Sequence, residues 1–209
     1  MNSPKKVGIW GLGIVGQSAI KYFKNRPEYI ITALADKKEP APSIQNFYEI
    51  SLRVSGEDQA IKFYPEENII EFLNSCDIIL PSPGIDLRKY NKYRDKFITE
   101  ADIFYKNWDT QKPIIAITGT IGKTSVVTLL SKVLEQNGLK VATGGNIGLG
   151  MLDLLENQNN FDIAVLELSS FQLEHINSFA PDLAIITNIF PNHLDRHETL
   201  ENYPQDKFN

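Results

Sequence analysis

The chain has 209 residues, enough for one large or two modest domains, and its 42% apolar and 22% charged residues are those of an ordinary soluble globular protein. The formal net charge of −5, with no strong basic stripe, argues against nucleic acid as a partner. Cys76 is the only cysteine; this excludes an internal disulfide, fits a reducing cytoplasm and makes a small buried apolar role the expectation for its side chain.

Lys5-Lys6 ahead of Val7 to Val15 imitates a signal peptide. Gly8, Gly11 and Gly13 interrupt the apolar run, which suits strand, turn and helix better, and no stretch is long enough to span a bilayer. The expectation is therefore a cytoplasmic chain without membrane insertion. Val7–Trp10 reads as a strand and Gln17–Lys24 as a helix, joined by Gly11-Leu12-Gly13-Ile14-Val15-Gly16. Asp36 closes the next strand, Ile30–Ala35, about twenty residues on, which completes the dinucleotide fingerprint. The geometry specifies only a phosphate at a helix N-terminus and a hydroxyl-bearing ring near an acid. NAD or FAD, a nucleotide diphosphate such as a UDP-sugar, and a packing turn with nothing bound all remain open.

Ile78–Pro81 is the next strand. Ser82-Pro83-Gly84-Ile85 after it is either a border of the first site or a simple exit turn. Arg88 to Lys96 is dense in charge and tyrosine, and a helix over Thr99–Trp108 and a polar connector, Lys106 to Pro113, lead on. A domain boundary is expected here, giving residues 1–97 and 98–209.

Ile114–Thr118 is a short apolar strand that runs into Gly119-Thr120-Ile121-Gly122-Lys123-Thr124-Ser125. Glycines that turn backbone N–H groups inward, a helix N-terminus and a lysine make a phosphate cradle, and the threonine hydroxyl can reach magnesium. The spacing is shorter than the common P-loop, since only Thr120 and Ile121 separate Gly119 from Gly122. A helix over Ser125–Asn137 places Val126, Val127, Leu130, Val133 and Leu134 on one face, with Gly138 as its stop. A further helix is expected over Leu149–Glu156. Ile163–Glu167 reads as a buried strand ending in a carboxylate, which either holds a cation beside the P-loop or caps the following turn. Leu183–Thr187 reads as another buried strand. The loop Asn188 to His197 after it crowds His193, Asp195, Arg196 and His197 without a zinc spacing, so His193 is either a structural or a functional residue. Alternating strands and helices predict an α/β protein: a Rossmann-like parallel-sheet domain, then an incomplete P-loop α/β domain that lacks strands to close its sheet.

Together these motifs resemble the Mur ligases, the ATP-dependent amide ligases of peptidoglycan precursor synthesis. Gly119 to Thr124 is similar to the family's short P-loop, Gly145-Asn146-Ile147-Gly148 to its GNIG loop and Asn192-His193-Leu194-Asp195-Arg196-His197 to a motif shared more widely in it. Glu167-Leu168-Ser169-Ser170-Phe171-Gln172-Leu173 looks like the signature of the branch that joins D-glutamate to UDP-N-acetylmuramoyl-L-alanine. The resemblance implies ATP and Mg2+ as cofactors, an acyl-phosphate route and a monomer. It implies ATP on residues 119–125 with Lys123 catalytic, and metal on Thr124, Glu167 and His193. It implies UDP-substrate contacts from Ile14, Val15, Asp36 and Gly84, further substrate contacts from Asn146 and Ser169, and Lys207 as a carbamylated lysine. Ile121 departs from the family's asparagine. The resemblance also implies that the family's C-terminal domain lies outside these residues, so little turnover is expected of the chain alone. A UDP-sugar-binding protein without activity and a nicotinamide-dependent oxidoreductase are the competing expectations.

Overall fold

The computed structural model describes residues 3–37 and 61–190. The chain divides into two compact units, Met1–Glu100 and Ala101–Asn209.

The first unit is built on a fully parallel sheet of β1 (Lys5–Trp10), β2 (Tyr29–Asp36), β3 (Lys62–Pro65) and β4 (Ile78–Pro81), in the order β3-β2-β1-β4. Helices α1 (Ile14–Lys24) and α2 (Ile69–Ser75) connect its strands. The chain reverses its direction of travel across the sheet between β1 and β4. Their carboxyl ends therefore form a topological switch point, where open α/β sheets place ligands. One core gathers Trp10, Ala33, Ala35, Tyr64, Phe72 and Ile79. Cys76 is in the same core, and its burial pushes the thiol above its ordinary pKa, in keeping with a packing role. The charged run Leu87–Lys96 winds into 3-10 turns around a kink at Tyr90. Lys96 is tied down there, its Nζ donating to the carbonyls of Leu73 and Cys76.

Helix α3 (Glu100–Asn107) leads into the second unit, whose parallel sheet has the order β6-β7-β5-β8. Its strands are β5 (Ile114–Thr118), β6 (Val141–Gly145), β7 (Ile163–Glu167) and β8 (Leu183–Ile186). α4 (Lys123–Gln136), α5 (Met151–Glu156) and α6 (Ser170–Leu173) are its helices. Ile115, Ile117, Val127, Val141, Ile163 and Val165 form the core against α4.

Two sequence expectations are corrected here. Val133 does not share the buried face of α4; it is 46% exposed, while Val126, Leu130 and Leu134 pack on the core. The 3.6-residue period carries position 133 off the stripe that Val127 centres. Strand β8 is not buried: Leu183 is 50% exposed, because β8 lies at the described sheet edge and pairs only with β5 among the described residues. Strands β3 and β6 and helices α2 and α6 were not anticipated.

Candidate functional sites

In the second unit, β5 delivers the chain into a turn bracketed by two left-handed glycines, Gly119 at φ 143° and Gly122 at φ 84°. Gly122 is the N-cap of α4 and carries no side-chain cap. The N–H groups at the head of α4 have no carbonyl one turn earlier to bind, so they face outward as donors beside the positive end of the helix dipole. Lys123 does not extend into solvent. Its Nζ donates to the carbonyls of Gly119 (2.8 Å) and Thr120 (3.1 Å), which holds the ammonium over the turn.

Parallel pairing sets what stands beside this turn. In the β5–β7 register Ile117 lies opposite Glu167, and in the β6–β7 register Gly145 does. Glu167 is 2% exposed. Its Oε2 accepts from the Thr124 hydroxyl at 2.8 Å and its Oε1 from the Asn146 side-chain amide at 3.1 Å. The Asn146 N–H also donates to the Glu167 carbonyl at 2.8 Å. Gly145, at φ 99°, permits this approach: a Cβ there would overlap the Glu167 carbonyl oxygen. Among the described residues Glu167 has no ion-pair partner, so neutral donors alone face a buried carboxylate. That arrangement is costly without a cation. The Glu167 carboxylate and the Thr124 hydroxyl are hard oxygen ligands of the kind that suits magnesium, which keeps several of its own waters. The described residues contain no cluster of three or more His, Cys, Asp or Glu placed to hold a metal.

The turn is braced from the exit of β8, an arrangement the sequence reading missed. Asn188 Oδ1 accepts from the N–H groups of Thr120 (3.2 Å) and Ile121 (2.9 Å), and its Nδ2 donates to the Ile121 carbonyl (2.8 Å). Thr187 Oγ1 donates to the same carbonyl at 2.8 Å. The partners lie 66 to 68 residues apart, so no local pattern announces them. Ser169 caps α6: its Oγ accepts from the Gln172 N–H, and the Gln172 side chain accepts from the Ser169 N–H. This Ser-x-x-Gln capping box was a readable signal of α6.

In the first unit, the turn after β1 packs tightly. Gly11 has φ 91°, and a Cβ there would overlap Ser82 Oγ; a Cβ on Gly16 would overlap the Gly11 carbonyl oxygen. Ser82 Oγ donates to that carbonyl, which joins the exits of β1 and β4. Asp36 is turned toward the same place. Its Oδ2 accepts from the Leu12 N–H at 2.7 Å and its Oδ1 from the Lys37 N–H. Ile14 is 67% exposed at the start of α1. Val15 is half-buried beside it, and Gly84 is exposed beyond β4 with nothing within 4 Å of an added Cβ. The structure thus gathers Ile14, Val15, Asp36 and Gly84 around one switch point. It gathers Gly119 to Ser125, Glu167 and Asn146 around the other turn, with Ser169 two residues past Glu167. His193 and Lys207 lie outside the described residues.

Comparison with known proteins finds relatives whose similarity runs through both units. Residues 117–209 match the Mur ligase middle domain. A UDP-N-acetylmuramoylalanine--D-glutamate ligase of Legionella pneumophila is 34% identical over 201 residues, covering 94% of this chain and 43% of the relative. The protein of the same description from Francisella tularensis is 39% identical over 172 residues, covering 79% of this chain and 39% of the relative. The chain thus spans less than half the length of these relatives. In fold it is similar to the crystal structure of a UDP-N-acetylmuramate:L-alanyl-gamma-D-glutamyl-meso-diaminopimelate ligase from Neisseria meningitides, with a TM-score of 0.53, 17% identity, and coverage of 97% of this chain and 66% of that one.

Proposed function

Since the chain belongs to the Mur ligase family, we propose that it carries the nucleotide- and UDP-substrate-binding regions of an ATP-dependent ligase that joins D-glutamate to UDP-N-acetylmuramoyl-L-alanine. The observation that carries this reading is the buried Glu167 carboxylate, which accepts from Thr124 and Asn146 beside a lysine-bearing glycine turn.

The reaction requires a carboxylate oxygen of the alanine to attack the γ-phosphorus of ATP, with ADP leaving, to give an acyl phosphate; the amine of D-glutamate then attacks the acyl carbon, loses a proton and expels phosphate. Lys123 exchanges the carbonyls of Gly119 and Thr120 for phosphate oxygens, and the amides of Gly122 to Ser125 add directional donors. Thr124 and Glu167 hold Mg2+, which when bound neutralises charge on the transferred phosphoryl group. Asn146 keeps the Glu167 carboxylate aimed and contacts substrate, with Ser169 near it. His193 serves a second metal ion and Lys207 is the carbamylated lysine. Ile14, Val15, Asp36 and Gly84 line the uridine diphosphate pocket. No described helix is long and apolar enough to cross a membrane; the cytoplasmic, monomeric state is part of the family reading alone.

The test is titration calorimetry with Mg-ATP and with UDP-N-acetylmuramoyl-L-alanine, followed by phosphate release in the complete ligase. Lys123→Ala is expected to lower turnover by about 10²–10³-fold or more, the scale of losing a charged transition-state donor, while UDP-substrate affinity is kept. Near-normal turnover in that variant would remove Lys123 from the proposed machinery.

A further inference from the structure

The loop between the two glycines has more backbone donors than it can aim at one ligand, and the structure divides them. The N–H groups of Thr120 and Ile121 point away from the head of α4 and end on Asn188: Thr120 on its backbone carbonyl (3.1 Å) and its Oδ1 (3.2 Å), Ile121 on Oδ1 alone (2.9 Å). The Ile121 carbonyl receives Asn188 Nδ2 and Thr187 Oγ1, both at 2.8 Å. Thr120 Oγ1 completes the contact, accepting from the Phe190 N–H at 3.0 Å and lying 3.1 Å from the Phe190 carbonyl. An independent feature fits the same contact. Gly119 has no side chain where Thr187 Oγ1 sits, so the exit of β8 seats in a notch that only glycine leaves.

We propose that Asn188 is a positioning residue for the nucleotide. It clamps the first half of the loop, Thr120 and Ile121, to the end of β8, and this fixes the direction of the second half, the amides of Gly122 to Ser125 that take the phosphates. One carboxamide satisfies both the N–H and the carbonyl of Ile121, through its Oδ1 and Nδ2, which an apolar side chain of the same shape cannot do. The clamp also sets the loop from β8, so a strand far away in sequence decides the geometry of the cradle. This deepens the nucleotide reading of the loop and rests on it.

Two variants and two measurements test the proposal. Asn188→Leu keeps the branched side-chain shape and removes all three side-chain hydrogen bonds; Asn188→Asp keeps an acceptor for the Ile121 N–H. Amide hydrogen exchange followed by NMR reads the clamp without any nucleotide. In Asn188→Leu the Ile121 amide is expected to exchange roughly tenfold faster, the scale of one lost hydrogen bond, while the amides of Ile115 and Ile117 in β5 keep their rates. In Asn188→Asp the Ile121 amide is expected to stay within about threefold of the parent. Calorimetry with Mg-ADP reads the consequence: about tenfold weaker binding for Asn188→Leu, carried by a loop that no longer holds its donors in place. Unchanged Ile121 exchange in Asn188→Leu overturns the clamp. Faster exchange with unchanged Mg-ADP affinity overturns the positioning role. Parent protein that ignores Mg-ADP while the exchange result holds would sink the nucleotide reading and leave a purely structural clamp.

Discussion

The turns at Gly11–Gly16 and Gly119–Gly122 begin from the same plan: a buried parallel strand, a left-handed glycine, and a helix whose N-cap is a glycine without a side-chain cap. They differ in what the neighbouring strands bring. At the first turn, β2 supplies Asp36, which takes the Leu12 N–H, and β4 supplies Ser82, which donates to the Gly11 carbonyl. The turn is closed on itself by its neighbours, and what it offers a ligand is a shaped surface. At the second, β7 supplies a buried carboxylate beside the helix start, and the helix opens with a lysine held over the loop. Charge of both signs is concentrated there, the carboxylate buried and the ammonium half-buried over the loop. A glycine-rich strand-to-helix turn specifies a place for a ligand, and the adjacent strands specify which chemistry happens in it.

The sharpest way to break that contrast is to remove the charge at the second turn while keeping its shape. Glu167→Gln retains an acceptor for the Thr124 hydroxyl and removes a buried negative charge that has no ion-pair partner among the described residues. The unliganded protein is expected to be as stable as the parent or more so, because removing a buried charge removes its desolvation cost. In the ligase proposed above, turnover should nevertheless fall by about 10²–10³-fold, and nucleotide binding should lose its dependence on Mg2+. Thermal melts and calorimetry with and without Mg2+ check the two halves. A large loss of stability with unchanged magnesium dependence would make Glu167 a structural acid.

The glycines sharpen the comparison at smaller scale. Gly119→Ala places a Cβ against Thr187 Oγ1 at a φ of 143°, so backbone strain and overpacking combine to about 2–4 kcal/mol of destabilisation. Gly122→Ala has open space around its Cβ and meets only the left-handed penalty, about 1–2 kcal/mol. Denaturant midpoints should therefore separate the two variants. If they shift equally, the notch filled by Thr187 contributes nothing, and the brace from β8 is not under load.

Much of this was legible in the sequence because it is local. The strand Ile114–Thr118 is a run of β-branched residues with its glycines directly after it, and Asp36 stands where a second strand ends. The strands that escaped notice lack that signature. Lys62–Pro65 is four residues ending in proline, and Val141–Gly145 ends in two glycines, one of which serves the close approach to Glu167. Val133 was misplaced because an apolar residue at nearly the right helical spacing reads like its buried neighbours. Asn188 could not be assigned a role at all: its partners are in the loop, some 68 residues earlier, and only the β5–β8 pairing brings them together.

The smallest expected effect tests the first turn. Gly84 lies beyond the end of β4, with ordinary negative-φ backbone and nothing within 4 Å of an added Cβ. Gly84→Ala should therefore leave stability within about 0.5 kcal/mol of the parent, the usual range for a surface substitution whose new methyl meets nothing. If the switch point between β1 and β4 recognises a uridine diphosphate by shape, one methyl at its rim should still weaken that ligand several-fold in calorimetry, with Mg-ATP affinity untouched. A variant that is equally stable and binds the UDP substrate equally well would move the pocket off the β4 side of the turn. Recognition would then fall to the Ile14–Val15 face at the head of α1, where the helix N-terminus supplies donors without help from the β4 exit.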